Sequence, residues 1–265
     1  MKIVVCVKQI IDPEIPAAKF RVDERSKRVI PPEGIPPVIN PYDAQAVEFG
    51  LRLKEAAGGS LTVLAAGEKK FIEALRYCLA MGADEAILIE ASLGEDWDGF
   101  LSSYILCAGI GKIGPFDLVL CGRQAADWDR GIIGPVIATS LGLAFVTLAK
   151  DAKGENGKIR VEKVIEDGFQ IVECRLPALL TVGSEIGKPR IPSGFGIITA
   201  ARKPITSWSL GDIQAQEGEM EAIRKRTQLV SLYPLKMDRK CEIIKGKDKV
   251  DTAAQLALKI SQIAA

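Results

Sequence analysis

Four short apolar runs in the first half of the chain predict buried strands. They span residues 3–7, 61–65, 86–89 and 118–121 and are rich in Val, Ile and Leu, without regular polar alternation. Continuous apolar runs of this length are typical of strands that are covered on both faces, as in a parallel sheet.

Segments with helical spacing of apolar residues lie between and after these runs. They predict helices over residues 43–57, 69–81, 97–113 and 131–141, each followed by a glycine that favours helix termination. Strands alternating with helices predict an α/β fold with a mostly parallel sheet and helices on both faces. Ligands of such sheets bind beyond the carboxyl ends of the strands, where the strand order reverses.

The second half of the chain shows a different pattern, in which polar and apolar residues alternate. The alternation covers residues 158–165 and 169–174, with the turn-favouring pair Asp167-Gly168 between them. Because alternation is typical of strands with one covered face, we predict an antiparallel hairpin over residues 158–175. A further strand is expected directly after it.

Glycine and proline are concentrated in residues 183–204, which predicts a long loop, and such loops in compact domains are usually functional. Apolar signals beyond it are weak until a short helix predicted at residues 251–263. We therefore divide the chain into an α/β domain over residues 1–204 and a C-terminal arm over residues 205–265. The scattered apolar residues suit an arm that wraps around another protein, and a disordered tail is the alternative.

Composition limits the chemistry of the chain. Of its 265 residues, 48% are hydrophobic and 26% charged, and the net charge of +1 gives no reason to expect a nucleic-acid partner. Histidine is absent, which excludes Ser-His-Asp and Cys-His machinery. The six cysteines form no C-x-x-C pair and show no metal-ligand spacing, so we expect reduced, mostly buried thiols. We predict no catalytic side chain and no metal site; any chemistry belongs to a bound cofactor or a partner.

No apolar stretch is long enough to span a membrane, and the N-terminal run is too short for a signal peptide. We therefore expect a cytoplasmic protein without direct membrane insertion.

Two chain segments at the expected ligand-binding edge of the sheet contain residues that suit a ligand-binding site. The exit from the first strand, through Val7 and Lys8, can present main-chain groups to a base, although an ordinary strand exit shows the same pattern. Asn40 precedes Pro41, which restricts Asn40 to extended backbone, although a simple helix start also explains this proline.

A third connection, residues 121–135, joins a buried strand to a helix. Gly122 permits close backbone approach, and the amides of residues 130–134 would lie at a helix N-terminus, which favours phosphate. The segment matches neither G-x-G-x-x-G nor the P-loop motif, and Asp127 and Asp129 would repel a phosphate unless they cap the helix or bind ribose. Phosphate binding and an ordinary turn are both open on these residues alone.

Seven short motifs follow one another along the chain: VKQ at 7–9 with Asp12, NPYD at 40–43, LAMGAD at 79–84, GRQAAD at 122–127, LPALLTV at 176–182, PR at 189–190 and AARKPI at 200–205. Each motif is modest alone. The ordered set, which runs over nearly the whole chain, resembles the β subunits of electron transfer flavoproteins.

The resemblance implies a Rossmann-like, doubly wound fold of the adenine-nucleotide-binding, universal-stress-protein-like kind, paired with an α subunit that holds its own FAD. In that family the β subunit holds either a structural AMP or, in electron-bifurcating members, a second FAD. The surroundings of Arg123 and Gly134 look more like the bifurcating branch, so we expect FAD, with AMP as the alternative. The cofactor-binding residues implied by the resemblance are Val7, Lys8, Asn40, Ala66, Gly67, Arg123, Gln124, Asp127, Asp129, Arg130, Gly131, Ile132, Ile133 and Gly134.

This sequence departs from the family pattern at two places. Arg130 stands where the family commonly has a small hydroxyl residue, and Ile132 stands near the position of a common glutamine. Side-chain hydrogen bonds to a phosphate are therefore lost unless Arg130 supplies them. The loop at 183–204 corresponds to the family's partner-docking loop. Gly194 and Phe195 stand there, and Phe195 is expected either to anchor a partner or to pack inward.

The resemblance thus implies an electron-transfer subunit acting between an acyl-CoA dehydrogenase, another flavoprotein or a quinone reductase and a further carrier. In the bifurcating scheme NADH would deliver hydride to the flavin of this subunit. One alternative is a stand-alone nucleotide-binding module of the stress-protein type. Another is an ATP-using adenylating enzyme, for which residues 9–13 offer no phosphate loop.

Overall fold

The computed structural model describes residues 1–92, 97–234 and 241–264 and divides into two compact units, Met1–Leu232 and Tyr233–Ala265. The strands are β1 (Lys2–Cys6), β2 (Gln9–Ile10), β3 (Arg21–Asp23), β4 (Arg28–Ile30), β5 (Val38–Ile39), β6 (Ser60–Gly67), β7 (Glu85–Glu90), β8 (Leu118–Gly122), β9 (Ala144–Glu155), β10 (Lys158–Ile165), β11 (Gly168–Arg175), β12 (Ala178–Val182) and β13 (Thr206–Ser209). The helices are α1 (Pro41–Ala57), α2 (Ile72–Met81), α3 (Gly99–Ile113), α4 (Ile133–Leu141), α5 (Gly194–Arg202), α6 (Glu217–Arg224) and α7 (Lys249–Ala264).

A mostly parallel sheet forms the centre of the first unit, in the order β11-β10-β9-β12-β8-β1-β6-β7-β13. Neighbours from β9 to β13 are parallel, whereas β9, β10 and β11 pair antiparallel. The chain proceeds outward from β1 through β6 and β7 and then returns to the other side of β1 as β8. This arrangement confirms the predicted α/β fold and puts the reversal of strand order between β1 and β8, where ligands of such sheets bind.

Apolar side chains on both faces of the sheet explain the unbroken apolar runs. Val4 and Val5 are successive residues of β1 and therefore point to opposite faces. Val5 belongs to a buried cluster with residues of α1 and α2, and Val4 belongs to a second cluster with residues of α3 and α4. Each strand thus needs an apolar residue at nearly every position.

The predicted hairpin is confirmed, since β10 and β11 pair antiparallel around a turn at Glu166 and Asp167. The helix starts are less accurate. The structure begins α1 two residues earlier than expected, at Pro41, and α4 two residues later, at Ile133.

The long loop predicted for residues 183–204 is wrong in part, because α5 occupies much of it. Ser193 caps this helix by accepting a hydrogen bond from the amide of Gly196 at 3.0 Å. A Cβ at Gly196 would lie 2.6 Å from the carbonyl oxygen of Ala80 in α2. Gly196, which contributed to the loop prediction, therefore permits close contact between α5 and α2.

Residues 205–232, which the sequence analysis placed in the C-terminal arm, belong to the first unit. β13 pairs with β7 at the edge of the sheet, and Met220 of α6 is buried. The second unit contains α7, at the place predicted for the final helix, with Val250 and Ile263 exposed. Wrapping of the arm around another protein stays a prediction. Among the described residues, no helix has the length and apolar character needed to cross a membrane.

A buried carboxylate joins the ends of β1 and β8 to the first turn of α1. Asp43 Oδ2 accepts a hydrogen bond from the amide of Lys8 at 2.8 Å, and Oδ1 accepts one from the amide of Gly122 at 3.1 Å. Burial raises the pKa of Asp43 to about 7, and these hydrogen bonds oppose that rise without cancelling it. Asp43 therefore holds both strand exits at the reversal point against the same helix.

We predict that Asp43 makes folding less favourable as pH rises from its ordinary pKa of 3.8 to about 7. In this window the native carboxyl binds more protons than the unfolded one, so the free energy of unfolding falls with rising pH. In Asp43→Asn that contribution is absent, and the wild type should lose stability relative to the variant across the window. Urea unfolding of both proteins at several pH values measures the difference.

The control is Gln170→Ala in the exposed hairpin, which removes no titratable group, so its difference from wild type should not depend on pH. Taking differences also removes the opposite contributions of carboxyls with lowered pKa, such as Glu48 and Asp84. A difference for Asp43→Asn that is constant with pH would contradict a raised pKa.

Candidate functional site

Asn40 holds the loop that follows β8. Its Nδ2 donates to the carbonyl oxygen of Gln124 at 2.9 Å, and its Oδ1 accepts from the amide of Ala126 at 3.1 Å. Its own amide donates to the carbonyl oxygen of Lys8 at 2.8 Å. Asn40 is 1% exposed and so links the exits of β1 and β8 as Asp43 does. Its side chain shapes the site, and direct contact with a cofactor stays a prediction.

The two aspartates of the same loop have polar partners within the protein. Lys8 Nζ lies 2.6 Å from Asp127 Oδ2, and Gln124 Nε2 donates to Asp129 Oδ1 at 2.8 Å. The repulsion that these carboxylates would exert on a nearby phosphate is therefore reduced.

The backbone entering α4 offers unpaired amide hydrogens. Asp129 and Gly131 take positive φ values of 50° and 63°, and Ile132 precedes the helix without a side-chain cap. Within the described parts of the chain, the amides of residues 131–134 donate to no acceptor. Free amides at a helix N-terminus together with the helix dipole favour an anion.

Two glycines permit close packing around this backbone. A Cβ at Gly122 would lie 2.4 Å from Asp43 Oδ1 and 2.8 Å from the carbonyl carbon of Tyr42. A Cβ at Gly134 would lie 2.6 Å from the methyl carbon of Thr181. Gly122 thus brings β8 against α1, and Gly134 brings the start of α4 against β12.

A cleft of about 390 Å³ opens beside the start of α4, between the loop after β8 and strands β9 and β12. β9 has a bulge here, where Leu148 takes a φ of 54° and its amide donates to Thr181 Oγ1 at 3.2 Å. Bulges are common beside binding sites because they redirect side chains. The residues that line the cleft are Arg123, Gln124, Gly131, Pro135, Phe145, Thr147, Leu148 and Thr181.

Arg123 is the cation that lines this cleft. Its guanidinium lies 5.1 Å from the ring centre of Tyr42, and Nη1 is 3.7 Å from Glu185 Oε1. Its amide donates to the carbonyl oxygen of Val182 at 2.8 Å, which joins the loop to β12. A half-exposed arginine held in this way can face an anionic group in the cleft.

Val7 follows β1 directly at the same edge of the sheet, and Ala66 and Gly67 end β6, on the other side of β1 from the cleft. Cys6 pairs with Leu64, so the last residues of β6 extend beyond the end of β1. Val7 and Gly67 are buried and Ala66 is partly exposed. These residues can therefore offer mainly backbone groups to a ligand.

The side chains of Arg130 and Ile132 are engaged elsewhere. The Arg130 guanidinium lies 5.7 Å from the ring centre of Trp128. Ile132 packs against α3, since a Cβ at Gly99 would lie 2.6 Å from Ile132 Cδ1. Contact of the Arg130 side chain with a phosphate stays a prediction.

Sequence analysis missed the part of the cleft formed by β9 and β12. Phe145, Thr147 and Leu148 lie in β9, and no local pattern marks them, because the bulge depends on how β9 pairs with β12. Thr181 lies within the quoted motif at 176–182 but was interpreted only as part of a strand. Asp43 lay within the quoted motif at 40–43 and at the start of the helix predicted over residues 43–57, without a further role. Its burial between two strand ends is a tertiary feature.

The predicted docking residues lie on α5. Phe195 is 79% exposed and faces solvent, so the expectation that it packs inward is wrong. Gly194 precedes it in the first turn, and Ile191, Ile197 and Ile198 add exposed apolar surface. A shallow cavity of about 380 Å³ next to this surface is lined by Phe195, Ile198, Thr199, Arg202, Lys203 and Pro204.

Comparisons with known proteins agree over most of the chain. The electron transfer flavoprotein domain matches residues 29–213. The chain is 36% identical to the caffeyl-CoA reductase-Etf complex subunit CarD of Acetobacterium woodii, over 99% of this chain and 98% of that protein. It is 36% identical to the electron transfer flavoprotein subunit beta of Thermoanaerobacterium thermosaccharolyticum, over 94% of each chain.

A third relative is the acryloyl-CoA reductase electron transfer subunit gamma of Anaerotignum propionicum, 34% identical over 77% of this chain and 76% of that protein. The family domain covers more than half of the chain, and the first two relatives match it almost from end to end. The chain therefore belongs to the electron transfer flavoprotein family, as a member of the beta-subunit type.

Proposed function

We propose that this β subunit holds FAD at the edge formed by the ends of β1, β6 and β8, and that it takes part in flavin-based electron bifurcation from NADH. The observation that carries the proposal is the cleft beside the unpaired amides of α4. These amides suit a phosphate. The cleft continues beyond them toward β9 and β12, where AMP alone has no group to occupy it.

The residues present fit an adenine dinucleotide in several respects. In the sheet order, β1 and β6, with the backbone near Val7 and Ala66, lie on one side of β8, the strand that leads to the amides of residues 131–134, and β9 and β12 of the cleft lie on the other. The cleft volume of about 390 Å³ falls within the range of small-molecule sites. A nucleoside on the first side and an isoalloxazine on the second would place the diphosphate at the helix N-terminus. AMP remains the alternative occupant.

The chain's own contribution is binding and electrostatics. A bound flavin would accept hydride and pass on electrons, a chemistry that no side chain of this histidine-free subunit supplies. Arg123 faces the cleft and would stabilise negative charge on a reduced ring. Lys8 is the second candidate, but its ammonium already pairs with Asp127 at 2.6 Å.

The proposed partners are an α subunit with its own FAD and a CoA-ester dehydrogenase or reductase. The names of two relatives, a caffeyl-CoA reductase complex subunit and an acryloyl-CoA reductase subunit, support this class of partner. Another flavoprotein or a quinone reductase would exchange electrons by the same surface. We assign the surface to Phe195 and its neighbours on α5, and contact with the α subunit to the C-terminal arm.

The cofactor content of the purified heterodimer tests the choice of nucleotide. We expect two FAD and no AMP for each complex of α and β subunits. The measurement is flavin absorbance together with nucleotide analysis of the denatured complex. One FAD and one AMP would replace the FAD proposal with the AMP alternative, and the absence of any adenine nucleotide from this subunit would refute both.

Gly122→Ala tests the packing beneath the site. The added methyl group would lie 2.4 Å from Asp43 Oδ1 and so must displace the end of β8 or α1. We expect a lower nucleotide content and a loss of roughly 1–3 kcal/mol of stability, as overpacking of tight sites usually causes. Nucleotide analysis and urea unfolding of the same preparations check both effects.

The control is Gly111→Ala in α3, where a Cβ meets nothing within 4 Å. Alanine is the better helix former, so this variant should be as stable as the wild type or slightly more stable, with unchanged nucleotide content. Equal nucleotide content in Gly122→Ala would separate this glycine from the binding site.

Phe195→Ala tests the docking surface. Removing an exposed aromatic anchor should raise the KM for an acyl-CoA dehydrogenase by roughly thirtyfold, since hot-spot side chains commonly contribute about 2 kcal/mol. Flavin content and melting temperature should not change, because the side chain is exposed. Steady-state electron transfer at increasing dehydrogenase concentration measures the KM, and an unaltered KM would remove Phe195 from the interface.

A further inference from the structure

We propose that Arg190, held by the buried carboxylate of Glu48, is a positioning residue that presets the docking helix α5 before a partner binds. The inference rests on the docking role proposed for α5. It adds the contacts that fix the position of α5. Arg190 makes them with acids of α1, and Arg76 of α2 makes them at the other end of the helix.

Arg190 bridges two carboxylates of α1. Its Nε donates to Glu48 Oε2 at 2.7 Å, and its amide donates to the same oxygen at 3.1 Å. On its other edge, Nη1 and Nη2 donate to the two carboxylate oxygens of Glu55 at 2.6 and 3.1 Å. The planar guanidinium can meet both acids at once, which a lysine ammonium cannot do with the same geometry.

Glu48 is the centre of this cluster. Its side chain is only 6% exposed, and its Oε1 also accepts from Arg52 Nε at 2.7 Å. Burial opposes ionisation, but the hydrogen bonds from Arg190 and Arg52 outweigh it, so that the pKa of Glu48 lies below its ordinary value. Arg52 Nη1 in turn donates to the carbonyl oxygen of Ile186 at 3.0 Å. One buried acid thus fixes the chain at both Ile186 and Arg190.

Only two residues separate Arg190 from Ser193, the N-cap of α5, and one of them is Pro192. At the other end of the helix, Arg76 of α2 donates to the carbonyl oxygens of Ala200 and Lys203. Ala200 lies on the buried face of α5. Contacts on this buried side therefore hold both ends of the helix.

The opposite face of the same segment is exposed to solvent. Ile191, the residue directly after Arg190, is 88% exposed, and Phe195, four residues further along the chain, is 79% exposed. An apolar surface on a fixed backbone binds with less loss of entropy than the same surface on a mobile loop. The contacts of Arg190 therefore act on partner affinity through the position of Ile191 and Phe195, without touching cofactor or partner.

Arg190→Gln in the complete αβ complex tests the proposal, with an acyl-CoA dehydrogenase that reduces the wild-type complex as the probe. Glutamine removes the positive charge and the N–H donors on one edge of the guanidinium. We expect the KM for the dehydrogenase to rise roughly tenfold, with kcat at saturation and flavin content unchanged. Hydrogen exchange should become faster in residues 187–203 and stay the same in residues 41–47.

Two further variants guard against a misfolded protein. Arg190→Lys keeps the cation and should recover part of the affinity, and Glu55→Gln removes only the exposed outer acid and should have a smaller effect. Lys158→Gln is the matched control. It breaks an exposed ion pair on the hairpin, in which Lys158 Nζ lies 2.5 Å from Glu173 Oε1, and should leave the KM unchanged.

The outcomes separate this inference from the docking proposal. A raised KM in Phe195→Ala but not in Arg190→Gln would overturn the positioning role and leave the docking surface intact. An unchanged KM in both would overturn both. Loss of flavin from Arg190→Gln together with a raised KM would show that Arg190 supports the whole fold, and would also overturn the positioning role.

Discussion

The carboxylate of Asp43, buried between the ends of β1 and β8, is the contact on which the arrangement of the site depends. It accepts the amide hydrogens of Lys8 and Gly122 and so fixes the distance between two strand exits at the reversal of strand order. The cost is a desolvated acid whose pKa rises to about 7. Without this contact the loop after β8 would lose its alignment with the exit of β1.

Helix α1 supports two separate functional regions of the first unit. Its first turn carries Asp43 and follows Asn40, and both residues hold the backbone of the proposed nucleotide site. Its middle carries Glu48, whose hydrogen bonds hold the segment that precedes α5, the proposed docking helix. Functional groups on loops need such rigid support, because their own backbone has few contacts. In this protein one helix supplies it to both.

The absence of histidine and the engagement of most loop side chains with one another leave the backbone as the main binding group. Lys8 pairs with Asp127, Gln124 donates to Asp129, and the guanidinium of Arg130 lies near the ring of Trp128. The amides at the start of α4 and the guanidinium of Arg123 remain to meet an anion. This distribution suits a protein that positions a cofactor and tunes its charge, as expected of a subunit in an electron transfer flavoprotein.

By itself the sequence determined the order and type of most elements, because apolar periodicity reports which faces must be covered. It also determined the family and the segments near the proposed nucleotide site, since Gly122, Asn40 and the turn before α4 are local in sequence. Tertiary structure alone decided the cleft wall on β9 and β12, the buried role of Asp43 and the helix hidden among the glycines of residues 183–204. Each of these depends on contacts between residues far apart in the chain, such as Leu148 with Thr181 and Glu48 with Arg190, which leave no periodic signal along it.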